Sequence, residues 1–376
     1  MKKVYLDNAA TTELDAEVLD IMTLSMRTDY GNPSSSHIFG RKSRSTIETS
    51  RRSIANLLNA DPSEIFFTSG GTEADNMAIR GAVRDAGIKH VITSKIEHPA
   101  VINTVAHLVN KGKISVDYVD LNDDGVVDLI HLENLLSNNS NTLVSLMHGN
   151  NEIGNLLDIK AVSHLCHQYD ALFHSDTVQT IGHYMFNLKE IKIDFLTCSA
   201  HKLHGPKGVG FLYINKKVNI TPLIHGGSQE RDMRAGTECV YGIVGLAKAM
   251  DVAYRNLASH RKHIEKLKNH MISSITDKLP FITFNGSCHD LNNSLYTVLS
   301  LSFPKSDYGD LLIFNLDILG VSCSGGSACS SGNVNQSHVI SNIKTQDGPV
   351  IRFSFSRNNS LSDIDFAVEK LISLFN

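Results

Sequence analysis

Short apolar runs alternate with amphipathic stretches along most of the chain. The runs have the length of buried strands, and stretches such as residues 159–169 repeat apolar residues at helical spacing. This alternation predicts an α/β fold in which helices cover both faces of a mainly parallel sheet. The predicted strands of that sheet occupy residues 65–68, 91–94, 116–119, 143–148, 171–176, 195–199 and 208–214.

Helical patterns also precede and follow this sheet along the chain. One helix is predicted from about Ser45, because the spacing from Ser45 to Glu48 fits a capping box. A long helix is predicted from about residue 244 to residue 272, where it would bridge to a second lobe. That lobe has predicted strands at 281–284, 296–301 and 350–356, which indicates a smaller α/β unit.

Composition narrows the class of protein. A chain of 376 residues has room for one large domain and one smaller domain. With 20% charged residues and a net charge of −4, it offers no electrostatic reason to expect nucleic acid or a membrane as a partner. No apolar segment suits secretion or a membrane span, and the six cysteines form neither a CxxC pair nor a zinc spacing. We therefore expect a cytoplasmic protein with no metal site.

One lysine directly follows a predicted buried strand. Burial or a cationic neighbour lowers the pKa of a lysine and makes it fit for Schiff-base chemistry. Since α/β proteins place ligands at strand exits, Lys202 is favoured for this role over the alternative of a solvated surface lysine. Lys207 is the rival, but it lies between Gly-Pro and Gly-Val-Gly, which suits a turn.

Three other predicted strands end in residues that could take part in chemistry. Asp176 needs a cationic or N–H partner, for which a protonated pyridine nitrogen would serve; a helix N-cap is the alternative. His98 precedes a helix that starts at proline, and it is either structural or part of a site. Gly71 and Thr72 begin a helix whose free N–H groups could cradle a phosphate, or they form only a turn.

The smaller lobe contributes a cysteine and an arginine. Cys329 lies in a loop with the composition of a flexible linker, where a free thiol indicates a nucleophile that must travel; Cys323 is expected to be buried. In the predicted strand at 350–356, Arg352 alternates with core residues and could fork onto a carboxylate. A solvated strand face is the alternative for Arg352.

These motifs follow an order that resembles one enzyme family. The resemblance is to the cysteine desulfurases of the NifS/IscS type, within the pyridoxal-phosphate-dependent aminotransferase class V family, and it covers nearly the whole chain. The motifs that carry it are YLDNAATT at 5–12, GNPSS at 31–35, TSGGTE at 68–73, HP at 98–99, NNEIG at 150–154, SAHK at 199–202, RAGT at 234–237 and GSAC at 326–329.

The resemblance implies the fold and the cofactor. It implies the PLP-dependent transferase fold type I, with a mainly parallel seven-stranded sheet in a large PLP-binding domain at 14–255. A small α/β domain at 256–376, together with 1–13, would carry the mobile cysteine loop. Lys202 would bind pyridoxal 5′-phosphate covalently, Asp176 would pair with its pyridine nitrogen, and Gln179 would bond its ring hydroxyl.

The resemblance also implies the remaining roles. His98 would stack on the cofactor ring and move protons. The phosphate would be held by Gly71, Thr72, Ser199 and His201, and by Thr237 from the partner subunit of a homodimer. Asn151 and Arg352 would bind the substrate carboxylate.

The expected reaction is a sulfur transfer. L-cysteine would become L-alanine, and its sulfur would pass to Cys329 as a persulfide and then to a protein acceptor, an Fe–S scaffold or a thiolation relay. Selenocysteine lyase, or another class V enzyme, is the close alternative, and an inactive PLP-binding subunit is the alternative from another class. The chain departs from the family pattern in two places: it has Asn155-Leu156-Leu157 where the family usually has a glutamine shortly after NNEIG, and Ser228 and Asp232 where glycines are common.

Overall fold

The structure is a computed structural model, and it describes residues 2–305, 311–325 and 337–375. Its strands lie close to the predicted positions. The strands are β1 (Val4–Tyr5), β2 (Ile65–Thr68), β3 (His90–Thr93), β4 (Ser115–Tyr118), β5 (Thr142–Ser145), β6 (Leu172–Asp176), β7 (Phe195–Ser199), β8 (Gly210–Ile214), β9 (Thr283–Phe284), β10 (Val298–Ser302), β11 (Val321–Ser322) and β12 (Val350–Ser354).

The helices connect and cover these strands. They are α1 (Ala16–Thr28), α2 (Ile38–Leu58), α3 (Gly71–Asp85), α4 (Pro99–Asn110), α5 (Leu129–Asn138), α6 (Ile159–Gln168), α7 (Val240–Arg255), α8 (Leu257–Lys278), α9 (Leu312–Ile318) and α10 (Leu361–Ser373).

A seven-stranded sheet carries the larger part of the fold, in the order β2-β8-β7-β6-β5-β3-β4. All its neighbouring strands run parallel except β8, which is antiparallel to both β2 and β7. Successive residues of a strand point to opposite faces, so Leu143 packs with α3 and α4 while Val144 joins the cluster under α2 and α7. The predicted α/β class and the seven-stranded, mainly parallel sheet are confirmed.

The smaller sheet is antiparallel, in the order β12-β10-β9, and β1 pairs with β11 beside it. Its apolar side chains form a hydrophobic cluster of their own with α8 and α10. Residues from both ends of the chain, such as Leu6 and Phe353, belong to this cluster. The predicted boundary between the large domain, ending at residue 255, and the small domain, beginning at residue 256, stays a prediction.

Two helix predictions were wrong. Helix α2 begins at Ile38, capped by Nδ1 of His37, so Ser45 lies inside the helix rather than at its start. The His37 cap starts the helix earlier than the sequence signal did, and Gly40 in its first turn lets a loop approach closely: a Cβ there would lie 2.4 Å from the Ser35 carbonyl oxygen. The helix predicted at 244–272 is interrupted at Asn256, which separates α7 from α8. The backbone of Asn256 is not helical, and its side-chain amide donates a hydrogen bond to the Val252 carbonyl oxygen.

Candidate active site

The carboxyl ends of β3, β6 and β7 meet at one edge of the large sheet, since these strands are parallel to each other. Asp176 is the last residue of β6, Lys202 follows β7 by a single 3-10 turn, and His98 follows β3 by five residues. Ligands bind at this edge in open α/β sheets. The three residues favoured at strand exits therefore share one site.

The N-terminal segment closes over Lys202. Its Nζ donates hydrogen bonds to the carbonyl oxygens of Ala9 and Ala10, at 2.6 and 2.9 Å. The side-chain amide of Gln179 donates to the same Ala9 oxygen, at 3.0 Å. Lys207 is exposed in a turn, as its neighbours predicted. The side chains of Lys202 and Gln179 thus lie close together, since both donate to the Ala9 carbonyl oxygen.

Asp176 is buried, with 6% of its surface exposed, and one of its oxygens accepts a hydrogen bond from the Val178 N–H at 2.9 Å. Burial, together with a smaller effect of the nearby Asp75, raises the pKa of its carboxyl to about 6, against the opposite effect of His98. A turn rather than a helix follows β6, so the N-cap alternative is wrong. The site can stabilise a cationic N–H beside this carboxyl.

His98 has a structural contact and a place in the site at once. Its Nδ1 caps α4 by accepting the Ala100 N–H at 3.2 Å. Burial lowers the pKa of His98, Asp176 raises it, and Lys202 lowers it. A neutral imidazole whose Nδ1 is an acceptor carries its proton on Nε2. His98 therefore presents an N–H donor.

Small residues form a concave turn where β2 meets α3. Gly70 has a φ of +150°, and α3 begins at Gly71 without any side-chain cap, so the first N–H groups are available to an anion. A Cβ on Gly70 would lie 3.7 Å from the Ser199 hydroxyl oxygen, and a Cβ on Gly71 would lie 2.8 Å from the Val178 side chain. Thr72 is the second residue of the helix.

His201 follows Ser199 by two residues, in the 3-10 turn that also carries Lys202. Its Nδ1 lies 3.2 Å from the hydroxyl oxygen of Thr11. Burial, with smaller effects from Lys202 and Lys207, lowers the pKa of His201 to about 4, so its ring is neutral. A neutral imidazole can donate one hydrogen bond to an anion.

The segment 228–237 is held by a buried ion pair. The two terminal guanidinium nitrogens of Arg51, Nη1 and Nη2, each donate to the Glu230 carboxylate at 2.8 Å. Glu230, Arg231 and Asp232 have φ values of 45°, 58° and 66°. Glycine adopts such a conformation without strain, whereas a residue with a side chain does not. Thr237, at the end of the segment, is exposed.

Arg352 is buried, so the alternative of a solvated strand face is wrong. Only 1% of its surface is exposed. One nitrogen, Nη2, pairs with the Asp7 carboxylate at 2.8 Å, and Nη1 donates to the Asn151 carbonyl oxygen at 2.8 Å. Its Nε is buried and has no hydrogen-bond partner among the described residues. The structure therefore brings Arg352 and Asn151 together and leaves one guanidinium donor to a ligand.

Cys329 lies outside the described residues, but the segments on both sides of it are anchored at the site. Before it, Ser324 and Arg352 exchange two backbone hydrogen bonds. After it, the His338 ring lies 2.9 Å from the carbonyl oxygen of Glu97. Cys323 is half-buried, and burial raises the pKa of its thiol to about 12, which leaves it unreactive.

Sequence reasoning missed three residues of the site: Asp7, Asp75 and His174. Asp75 interrupts the buried face of α3, and His174 interrupts the apolar strand β6. A polar residue at a buried position is a signal that could have identified both. Asp7 gave no such signal, because its partner lies 345 residues away.

The chain is similar to known proteins over nearly its whole length. The aminotransferase class V family matches residues 4–366. A cysteine desulfurase IscS of Dictyoglomus turgidum is 41% identical, over 98% of this chain and 94% of its own. A solved NifS-like protein aligns with a TM-score of 0.91 at 37% identity, over 99% of each chain. A solved structure of SspA in complex with cysteine has a TM-score of 0.81 at 30% identity, over 95% of this chain and 100% of its own.

The chain therefore belongs to the aminotransferase class V family. Within that family it groups with the cysteine desulfurases, whose cofactor is pyridoxal phosphate.

The residues present fit that cofactor. The buried Asp176 carboxyl, with its raised pKa, suits a protonated pyridine nitrogen. The uncapped start of α3, which the Ser199 side chain faces, suits a phosphate. Lys202 lies at the same sheet edge.

Proposed function

We propose that the chain converts L-cysteine to L-alanine as a PLP-dependent cysteine desulfurase and receives the sulfur on Cys329 as a persulfide. The observation that carries this proposal is the meeting of Asp176, His98 and Lys202 at one sheet edge. The similarity to SspA, which was solved in complex with cysteine, supports the choice of substrate.

Lys202 and His98 would move the protons. Pyridoxal phosphate, when bound by Lys202, supplies an electron sink for the carbanion that forms at the substrate Cα. The amine of Lys202, once released by the incoming substrate, would take the Cα proton. His98 would hold a proton at Nε2, since its Nδ1 already accepts the Ala100 N–H.

Arg352 and Asn151 would hold the substrate carboxylate. The guanidinium is oriented by Asp7 and by the Asn151 carbonyl, and the buried Nε remains as a donor. A carboxylate that accepts this N–H would satisfy an otherwise unpaired polar group, which favours binding. Fixing the carboxylate in this way would also orient the Cα–H bond toward Lys202.

Cys329 would be the sulfur acceptor. Its thiolate would form an S–S bond to the substrate sulfur as the C–S bond breaks, and the carbon would take up a proton and leave as part of alanine. Cys329 follows Ser324 by five residues, a length that spans at most about 18 Å when extended. Because Ser324 is bonded to Arg352, this short tether supports the assignment.

The test is a Cys329→Ser variant, with Cys323→Ser as its matched control. We expect Cys329→Ser to lose at least about 100-fold in alanine formed from L-cysteine, because a hydroxyl is a far weaker nucleophile toward sulfur. Mass spectrometry should find one added sulfur on the wild-type peptide that contains Cys329 and on the same peptide of Cys323→Ser. Wild-type rates in Cys329→Ser would overturn the assignment.

The active unit would be a homodimer in which Thr237 binds the phosphate of the partner subunit. Exposed apolar side chains support an interface: Tyr30 and Phe39 stack with their ring centroids 5.4 Å apart, yet remain 69% and 49% exposed. Apolar surface of this kind is typical of a protein interface. Sedimentation of the purified protein would test the dimer.

The persulfide would pass to a protein acceptor in the cytoplasm, an Fe–S scaffold or a thiolation relay. The IscS names of the relatives support a role in sulfur supply. Within the described residues, no helix is long and apolar enough to cross a membrane. Transfer of labelled sulfur from the persulfidated enzyme to a purified acceptor would test this step.

A further inference from the structure

A second buried carboxyl lies behind Asp176. Asp75 extends from the first turns of α3, and only 1% of its surface is exposed. Its Oδ1 is buried and makes no hydrogen bond, although it lies 3.3 Å from Nε2 of His174. A carboxylate oxygen of Asp75, a carboxylate oxygen of Asp176 and a ring nitrogen of His98 all lie within 4.8 Å of one another. An acidic oxygen without a partner in such a place needs a physical explanation.

His174 supplies that explanation. Its Nδ1 lies 2.8 Å from the Ser145 hydroxyl oxygen, and its Nε2 lies 3.3 Å from that of Thr197. Burial lowers the pKa of His174 to about 4, so the ring is neutral and has one N–H and one lone pair. If Nδ1 carries the proton and donates to Ser145, the lone pair of Nε2 faces Asp75. A proton on Oδ1 would then give this oxygen the hydrogen-bond partner that it lacks.

The charges around Asp75 favour that proton. Burial raises the pKa of Asp75 to about 7, while a hydrogen bond from the Thr197 hydroxyl lowers it. Asp176 faces it from β6, and two ionised carboxylates this close in a buried site repel each other strongly. From the turn after β3, burial lowers the pKa of His98 and raises that of Glu97 to about 8, so both are neutral.

The group nearest to the unpartnered oxygen of Asp75 carries no full charge. The imidazole of His174 lies 3.3 Å from Oδ1, and burial lowers the pKa of His174 to about 4, so the ring is neutral. An ionised Asp75 would therefore gain no ion pair from His174.

We propose that Asp75 is a positioning residue that keeps a proton on Oδ1, directed at Nε2 of His174, so that Asp176 alone presents negative charge to the cofactor ring nitrogen. This inference rests on the proposed function, because it needs pyridoxal phosphate beside Asp176. Two neighbouring buried carboxyls would then have different charges: Asp75 would be neutral and Asp176 anionic. As pH rises, Asp75 loses its proton, and a second negative charge appears behind the ring.

The test compares the holoenzyme of the wild type with Asp75→Asn, which keeps the shape and lacks the titration. Two titrations are recorded against pH, the infrared band of protonated carboxyl groups and the visible absorption of the bound cofactor. We expect the wild type to lose an infrared band as pH rises, with a change in the visible spectrum at the same midpoint. Asp75→Asn should lack the visible change and the infrared band that shares its midpoint, while the infrared bands of Glu97 and Asp194 remain.

Asp194→Asn is the matched control. Asp194 is also largely buried, with the pKa of its carboxyl raised to about 6 by burial, but it precedes β7 at the opposite end from Ser199. This variant should lose its own infrared band and keep the wild-type visible titration. A visible titration that is identical in the wild type and Asp75→Asn would overturn the inference.

A second variant covers the case in which Asp75→Asn does not fold. Thr197→Val removes the hydroxyl that stabilises ionised Asp75, so the shared midpoint should rise by about 1 pH unit. A midpoint that stays or falls would contradict the proposal. Failure of the proposed function looks different, because the wild type itself would then acquire no visible absorption with pyridoxal phosphate.

Discussion

The two ends of the site are built in different ways. The cofactor end, around Asp176 and His98, is formed by parallel strands of one sheet and the turns that follow them. The substrate end, around Arg352, joins residues from three distant parts of the chain, with Asp7 and Asn151 as its partners. One end depends on a regular scaffold, and the other depends on individual polar contacts between separate segments.

This difference has a physical consequence. Because Asp176 is the last residue of a strand, the sheet fixes the position of its carboxyl, and only the protonation state of this carboxyl can change. The guanidinium of Arg352 is fixed by a salt bridge and one carbonyl, and those contacts can rearrange around a substrate carboxylate. We therefore expect changes at the cofactor end to affect chemistry and changes at the substrate end to affect binding.

The largest expected effect comes from the cofactor end. Asp176→Asn removes the charge that stabilises a protonated ring nitrogen, and the loss of a buried ion pair is worth about 3–5 kcal/mol. We expect kcat for alanine formation to fall by about 10²- to 10⁴-fold with saturating cofactor. Asp194→Asn, a buried carboxyl outside the site, should retain the wild-type kcat. If kcat changes little in Asp176→Asn, the proposal that the cofactor end controls chemistry and the substrate end controls binding is wrong.

A smaller effect is expected at the substrate end. Arg352→Lys keeps the positive charge but loses the Nε–H donor and the two terminal nitrogens that bind Asp7 and the Asn151 carbonyl at once. We expect KM for L-cysteine to rise by about 10- to 100-fold with a much smaller change in kcat. Arg357→Lys is the control, because Arg357 follows the same strand and pairs with Asp15 instead. If kcat falls and KM stays constant, Arg352 has a different role.

The smallest effect concerns the segment beside the cofactor end. Asp232 has a φ of 66°, which costs a residue with a side chain more than it costs glycine. Asp232→Gly should raise the free energy of unfolding by about 0.5–1 kcal/mol, as measured in urea, with activity unchanged. Asp232→Ala keeps the Cβ and should give no gain. Equal stability of the two variants would show that this backbone carries no strain.

The cofactor end was also the more predictable of the two. Lys202, Asp176 and His98 follow short apolar runs, and the geometry of parallel strands brings such residues to one edge. The start of α2 was predicted wrongly because Ser45 does not act as the cap, and the side chain of His37, earlier in the chain, caps the helix instead. The Asp7–Arg352 pair could not be predicted, since no local pattern links residues 345 positions apart.

That long-range pair has a consequence for how the protein is made. Each strand of the seven-stranded sheet precedes residue 215, so a growing chain can assemble the cofactor end while the ribosome still holds the rest. Arg352 leaves the ribosome far later and only then reaches Asp7 at the beginning of the chain. Recognition of the substrate carboxylate would thus be the last property that a nascent molecule acquires.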